Sequence, residues 1–170
     1  MKHLLDLGTS PMHMKVKIME VLFTGAINKK SATDGCSKEM AKKHFQQLFL
    51  SREGGGLRLF IPEPQKGGNS NTGVIANRFF KSSKITAKIL NISQDLVDSC
   101  WKLLVWLNET KEFVDCAEYQ NEAERCFDYY INEFGNIYSL RSKVIVGCSI
   151  YGHAHLSTIA SPLYSSYSEH

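Results

Sequence analysis

Apolar residues in this chain recur at three- and four-residue spacing in one segment after another, and that spacing restricts it to helices packed on helices. Met12, Val16, Met19, Phe23, Ala26 and Ile27 set the first such row. Ser10 and Pro11 precede them, an N-cap hydroxyl followed by a proline at the first helical position, so a helix over 11–27 is predicted. Asn28 to Gly35 is polar and ends in Asp34-Gly35, which reads as a turn. Ser37, Glu39, Lys42 and Lys43 then open an amphipathic segment with an expected buried stripe of Met40, Ala41, Phe45, Leu48 and Phe49. It stops before Gly54-Gly55-Gly56. Leu57 to Ile61 alternates like a strand, but Pro62 and Pro64 follow at once, so 57–61 is expected to be a short extended connector.

Two short helices are predicted over 74–81 and 84–90. Ser93 and Asp95 cap a third, whose Leu96, Val97, Cys100, Leu103, Leu104 and Leu107 leave little polar surface and give it a central place. From Lys111 to Phe134 an apolar stripe of Phe113, Cys116/Ala117, Ala123, Phe127, Tyr130/Ile131 and Phe134 opposes Asp115, Glu118, Glu122, Arg125 and Asp128, with Gly135 as the C-terminal cap. Lys143 to Tyr151 suits a strand through Val144-Ile145-Val146, or a buried helix as part of the run from Leu140 to Leu156. The Ser- and Tyr-rich stretch 161–170 has no packing period and is expected to be a disordered tail. The expected fold is mainly α: one irregular helical bundle of six to seven helices over 1–160, with a basic half, 1–90, and an acidic half, 91–160.

A composition of 170 residues, 43% hydrophobic and 22% charged, excludes collagen-like, low-complexity and wholly disordered chains. At this length one domain is the default. No apolar run approaches the roughly 18 residues of a membrane helix, and Met1 to Gly8 lacks a signal-like apolar stretch, so the expected location is intracellular. The cysteines, Cys36, Cys100, Cys116, Cys126 and Cys148, are odd in number, contain no Cys-x-x-Cys, and are expected to be reduced, buried thiols. Residues 1–90 carry 15 Lys/Arg against 6 Asp/Glu, and residues 91–170 carry 5 against 11, so the small net charge of +3 hides halves of +9 and −6. A basic half attracts polyanions; the two halves could equally face and neutralise one another.

Candidate chemistry is thin. The loop Gly67-Gly68-Asn69-Ser70-Asn71-Thr72-Gly73 leads into a helix carrying Arg78 and Lys81, an arrangement able to hold a phosphate or to be a simple surface turn. The P-loop spacing is missing, so nucleotide hydrolysis is unsupported. Cys148, His153 and His155 could ligate zinc only with a fourth ligand such as Cys36, His44 or His170, and exposed histidines beside a buried thiol are the favoured reading. No metal or other cofactor is expected, and no nucleophile elbow or carboxylate pair stands out.

The segment Gly68 to Gly73 followed by Ala76-Asn77-Arg78-Phe79-Phe80 resembles the Gly-rich, Asn/Thr-containing stretch ending in Arg-Arg-Phe-Phe of Transib-type transposases, the wider group that includes the V(D)J recombinase. Ser10-Pro11-Met12-His13 and Glu20-Val21-Leu22 upstream, and Ile85-Thr86, Phe113 to Phe134 and Lys143 to Val146 downstream, agree in kind over roughly residues 5–160. The resemblance implies the helical region between the second and third acids of a nuclease that uses three acids and divalent metal. In that register the second acid falls on Ser10, with Asp6 the nearest upstream carboxylate. The third falls near Ser161 to Ser165, where Glu169 is the closest acid, and the family's zinc-binding histidines fall on Ser142 and Gly147. A hydroxyl does not replace a bridging carboxylate, so no metal ligand carries over.

The expected function is therefore non-catalytic: a transposase-derived fragment holding DNA non-specifically through Lys15, Lys17, Lys42, Lys43, Arg58, Lys66, Arg78, Lys81, Lys84 and Lys88, with Asn69 and Asn71 of the loop. A nuclear location would follow from that role. The alternative is a protein-interaction module whose acidic helix, 111–134, docks on a basic partner without any nucleic-acid role.

Overall fold

The first helix, α1, runs over Pro11–Asp34, seven residues beyond the predicted end. Its last two turns are polar yet anchored: Lys30 pairs with Asp34 at 2.7 Å, and Ser31 donates to the carbonyl of Cys36 at 2.6 Å. Lys29 reaches Glu133 and the carbonyl of Asn91. Polarity there reflects a solvated helix flank, and the helix stops where Gly35 takes φ +63°. The computed structural model describes residues 11–59, 71–108 and 115–135, and these are mainly helical, with no strand among them.

Helix α2, Lys38–Leu50, starts on Ser37, whose hydroxyl accepts from the Met40 amide at 3.2 Å. Ala41, Phe45 and Phe49 are buried and Leu48 is half-buried. Met40, expected in that stripe, is 64% exposed. It lies about 100° around the helix from Ala41, off the face turned to the core. The chain then reverses through 51–56, where the Leu57 amide returns to the Phe49 carbonyl at 2.7 Å. A side chain at Gly54 would collide with the Leu48 carbonyl and the Phe49 backbone, which explains a glycine here. Residues 57–59 belong to no helix or strand, with Leu57 and Leu59 buried, and the rest of the expected connector, 60–61, lies outside the described residues.

Helix α3, Gly73–Lys81, is capped by Thr72, and α4, Ser83–Leu90, follows after a single residue and ends on left-handed Asn91. Helix α5, Gln94–Asn108, receives help at its start from outside, since the Ser93 amide donates to the Glu133 carboxylate at 2.8 Å. Helix α6, Cys116–Phe134, begins five residues after the predicted Lys111 because Asp115, read as a polar-face residue, is its N-cap and accepts from the Ala117 amide at 3.2 Å. Tyr119, Glu122, Ala123, Cys126, Tyr130 and Phe134 point inward, while Ala117 and Phe127, expected inside, are exposed.

One apolar cluster draws residues from all six helices. Helix α5 is central, as expected, packing on α1, α3, α4 and α6, and α1 shares that place by packing on α2, α3, α5 and α6. A line of rings crosses the core: Phe45 to Phe23, Phe23 to Phe49, Phe49 to Phe79, Phe79 to Phe80, and Phe80 stacked on Trp101 at 5.9 Å. No helix among the described residues is long and apolar enough to cross a membrane. The alternatives for 143–151 and the tail 161–170 lie outside the described residues.

Candidate nucleic-acid interface

The reversal at 51–59 gathers cations from separate parts of the chain. Arg78 of α3 donates its Nη2 to the Gly55 carbonyl at 2.5 Å, tying the start of the basic α3–α4 run to the turn that follows α2. Arg52 lies on that turn, exposed, and Arg58 leaves it, also exposed. Lys43 and Arg58 face one shallow groove of about 260 Å³, completed by Gln46, Gln47, Leu50 and Leu59. Gln46 spans its base by donating to the Leu59 carbonyl at 2.8 Å. One acid, Glu53, shares the turn and is exposed. A guanidinium with one N–H committed to Gly55 keeps others for an incoming oxygen anion.

Farther along, Lys81 ends α3 and Lys84 and Lys88 stand one turn apart on α4, all three exposed. Arg52 was not among the residues expected from sequence; its position beside three glycines in a basic stretch was the available signal.

Other expected residues have different roles. Lys15 is 8% exposed, with its ammonium 5.3 Å above the Trp101 ring and donating to Asn77 Oδ1 at 3.3 Å. It occupies the part of α1 that α3 and α5 cover, so it belongs to the interior and not to a DNA-facing surface. Burial, and then the nearby charge of Lys81, hold its pKa below the ordinary lysine value. Lys17 is exposed but pairs with Glu20 at 3.2 Å, and the other Glu20 oxygen accepts from Asn71 at 3.1 Å. Asn71 is thereby buried and fastens the start of α3 to α1, a structural post in place of the expected ligand contact. Lys42 is half-buried and 3.8 Å from Glu39. Phe79 and Phe80, which carry the family resemblance, are core residues at 0% and 1% exposure. Lys66 and Asn69 lie outside the described residues, as do Cys148, His153 and His155. Among the described residues, no group of three or more His, Cys, Asp or Glu side chains could hold a metal ion.

Among the described residues, charge neutralisation between the halves is limited. Between described residues, one ion pair joins them, Lys29 with Glu133. Glu122, expected on the solvent face of the acidic helix, is 6% exposed and accepts from Ser99 Oγ at 2.5 Å and Lys102 Nζ at 3.0 Å, with Arg125 at 3.5 Å. Burial pushes its carboxyl up, but the Ser99 and Lys102 hydrogen bonds and the Lys102 and Arg125 charges together outweigh it and leave the pKa below the ordinary value. The second half therefore satisfies this acid with its own cations. Scans of protein-family models and of curated proteins find nothing that matches the chain.

Proposed function

We propose that this chain is a non-catalytic, transposase-derived helical module that holds DNA by its phosphates, with the 51–59 reversal as the centre of contact. The reading is supported by the Arg78–Gly55 hydrogen bond, which ties α3 to the turn that bears Arg52 and leads to Arg58, and by the groove that Arg58 shares with Lys43. Guanidinium and ammonium groups on backbone-fixed elements suit phosphate oxygens and carry no base code, so binding is indifferent to sequence. Absence of cleavage follows from the sequence register, which has Ser10 where the family's second acid is expected.

Four phosphate contacts at the turn make duplex affinity fall on the order of a hundredfold between 50 and 200 mM salt. Fluorescence anisotropy on a labelled duplex, and on a second of scrambled sequence, tests it. Affinity that is flat across that range, or undetectable at 50 mM, refutes the proposal.

A second reading, docking of α6 on a basic protein, draws support from the exposed acids Glu118, Glu124 and Asp128, with Glu124 and Asp128 near the centre of the face turned away from the core. Charge reversal at Glu118, Glu124 and Asp128 tests it; Glu122 is unsuitable because it is buried. Loss of a captured partner together with absent DNA binding would favour this reading over the first.

A further inference from the structure

Between α5 and α6 two thiols lie close together: Cys100 Sγ and Cys126 Sγ are 3.4 Å apart, at 6% and 3% exposure, and not joined. They come from different helices, 26 residues apart, and the packing of α6 on α5 sets their approach. A disulfide needs about 2.05 Å, so the sulfurs must close by about 1.4 Å from their present contact.

We propose that Cys100 and Cys126 form an oxidation site, a dithiol that a small hydroperoxide converts to a disulfide locking α6 to α5. Polar groups stand beside the pair. Ser99 neighbours Cys126 and donates to the Glu122 carboxylate, and Tyr130 stands near Cys100. Hydrogen bonding from Cys100 holds the Cys126 thiol pKa below its ordinary value, against the opposing effect of burial, with Ser99 adding to the lowering and Glu122 opposing it. Cys126 is taken as the first nucleophile.

Its thiolate attacks one peroxide oxygen; the S–O bond forms as the O–O bond breaks, leaving a sulfenic acid and releasing an alcohol, or water from hydrogen peroxide. Cys100 then attacks the sulfenyl sulfur. The S–S bond forms, the S–O bond breaks, and the departing hydroxide takes the Cys100 proton as water. Two thiols are oxidised and one peroxide is reduced.

The experiment uses the full chain carrying Cys36→Ser, Cys116→Ser and Cys148→Ser, exposed to hydrogen peroxide under native conditions and then to an alkylating agent. The mass should fall by two hydrogens with no alkylation, a 100–126 cross-linked peptide should appear on non-reducing digestion, and dithiothreitol should reverse both. The oxidised form should also melt at a higher temperature. Should that variant fail to fold, the unaltered chain mapped by the same digestion must yield the same cross-linked peptide. Oxygen accumulating on one cysteine while the other stays alkylatable overturns the proposal, as does a cross-link that forms only after denaturation or only between two chains.

Discussion

Replacing Phe79 by alanine separates the two meanings of the Arg78-Phe79-Phe80 segment, structural and functional. Phe79 is fully enclosed, stacked 5.8 Å from Phe49 and edge-on to Phe80 at 5.2 Å, and it bridges the rings of α1 and α2 to those of α3 and α5. Truncating an enclosed Phe to Ala costs about 3–5 kcal/mol through lost transfer energy and the cavity left behind. Two ring pairs vanish with it, each worth about 0.5–1.5 kcal/mol beyond area, so the upper part of that range is expected. The Thr86 hydroxyl that donates to the Phe79 carbonyl at 2.7 Å is untouched, because that bond is to backbone. For a chain of this size about 4 kcal/mol lowers the melting temperature by roughly 8–16 °C. Urea unfolding followed by circular dichroism measures it, with Phe79→Leu, expected to cost about 1 kcal/mol, as the volume control. A loss under about 1 kcal/mol in the alanine variant refutes the packing account. So does a variant of normal stability that no longer holds DNA.

Three further substitutions probe other parts of the molecule. Glu122→Gln keeps the shape but removes the charge that Ser99, Lys102 and Arg125 serve, and should cost about 1–3 kcal/mol at neutral pH. Because the Glu122 pKa is lowered in the folded chain, its contribution is complete above 4.5 and disappears as pH falls through the folded value, so the gap between wild type and variant in urea midpoint must shrink in acid. Lys15 runs the other way: its lowered pKa means the unfolded chain binds more protons between the folded value and 10.5, and this site makes stability rise with pH across that window. Lys15→Met should erase that rise while leaving DNA affinity unchanged, and a large loss of affinity would put Lys15 at the surface after all. Gly54→Ala sets a methyl against the Leu48 carbonyl and should destabilise the α2 end by about 1–3 kcal/mol in thermal melts, whereas Gly55, with nothing near it, serves as the control for glycine's backbone freedom.

Much of the helical order was legible because local rules and tertiary packing agree. Ser37 and Gly135 mark ends, and the rows through Phe23, Phe45 and Leu96 mark cores. Legibility failed where a side chain can serve two purposes. Asp115 fits either a polar face or a cap, and choosing the former moved the start of the last helix, while Phe127, at helical spacing from Ala123 and Tyr130, fits the buried stripe by period yet lies at its edge. Lys15 and Glu122 look like solvated charges in a periodic pattern; only the arrival of Trp101, Ser99 and Lys102 from another helix makes their burial tolerable. The basic bias of residues 1–90 was readable, but the approach of Arg78 to the turn depends on a tertiary hydrogen bond across 23 residues, and the meeting of Lys43 with Arg58 on a chain reversal, and no spacing rule encodes either.

The most direct test is the slope of log affinity for duplex DNA against log salt, measured for the unaltered chain and for Lys43→Gln, Arg52→Gln and Arg58→Gln combined. Each lost phosphate contact removes about 0.9 from the slope, so the triple variant should be shallower by about 2.7 with its fold unchanged by circular dichroism. An identical slope in the two proteins would place the contact elsewhere and contradict the assignment of the 51–59 turn.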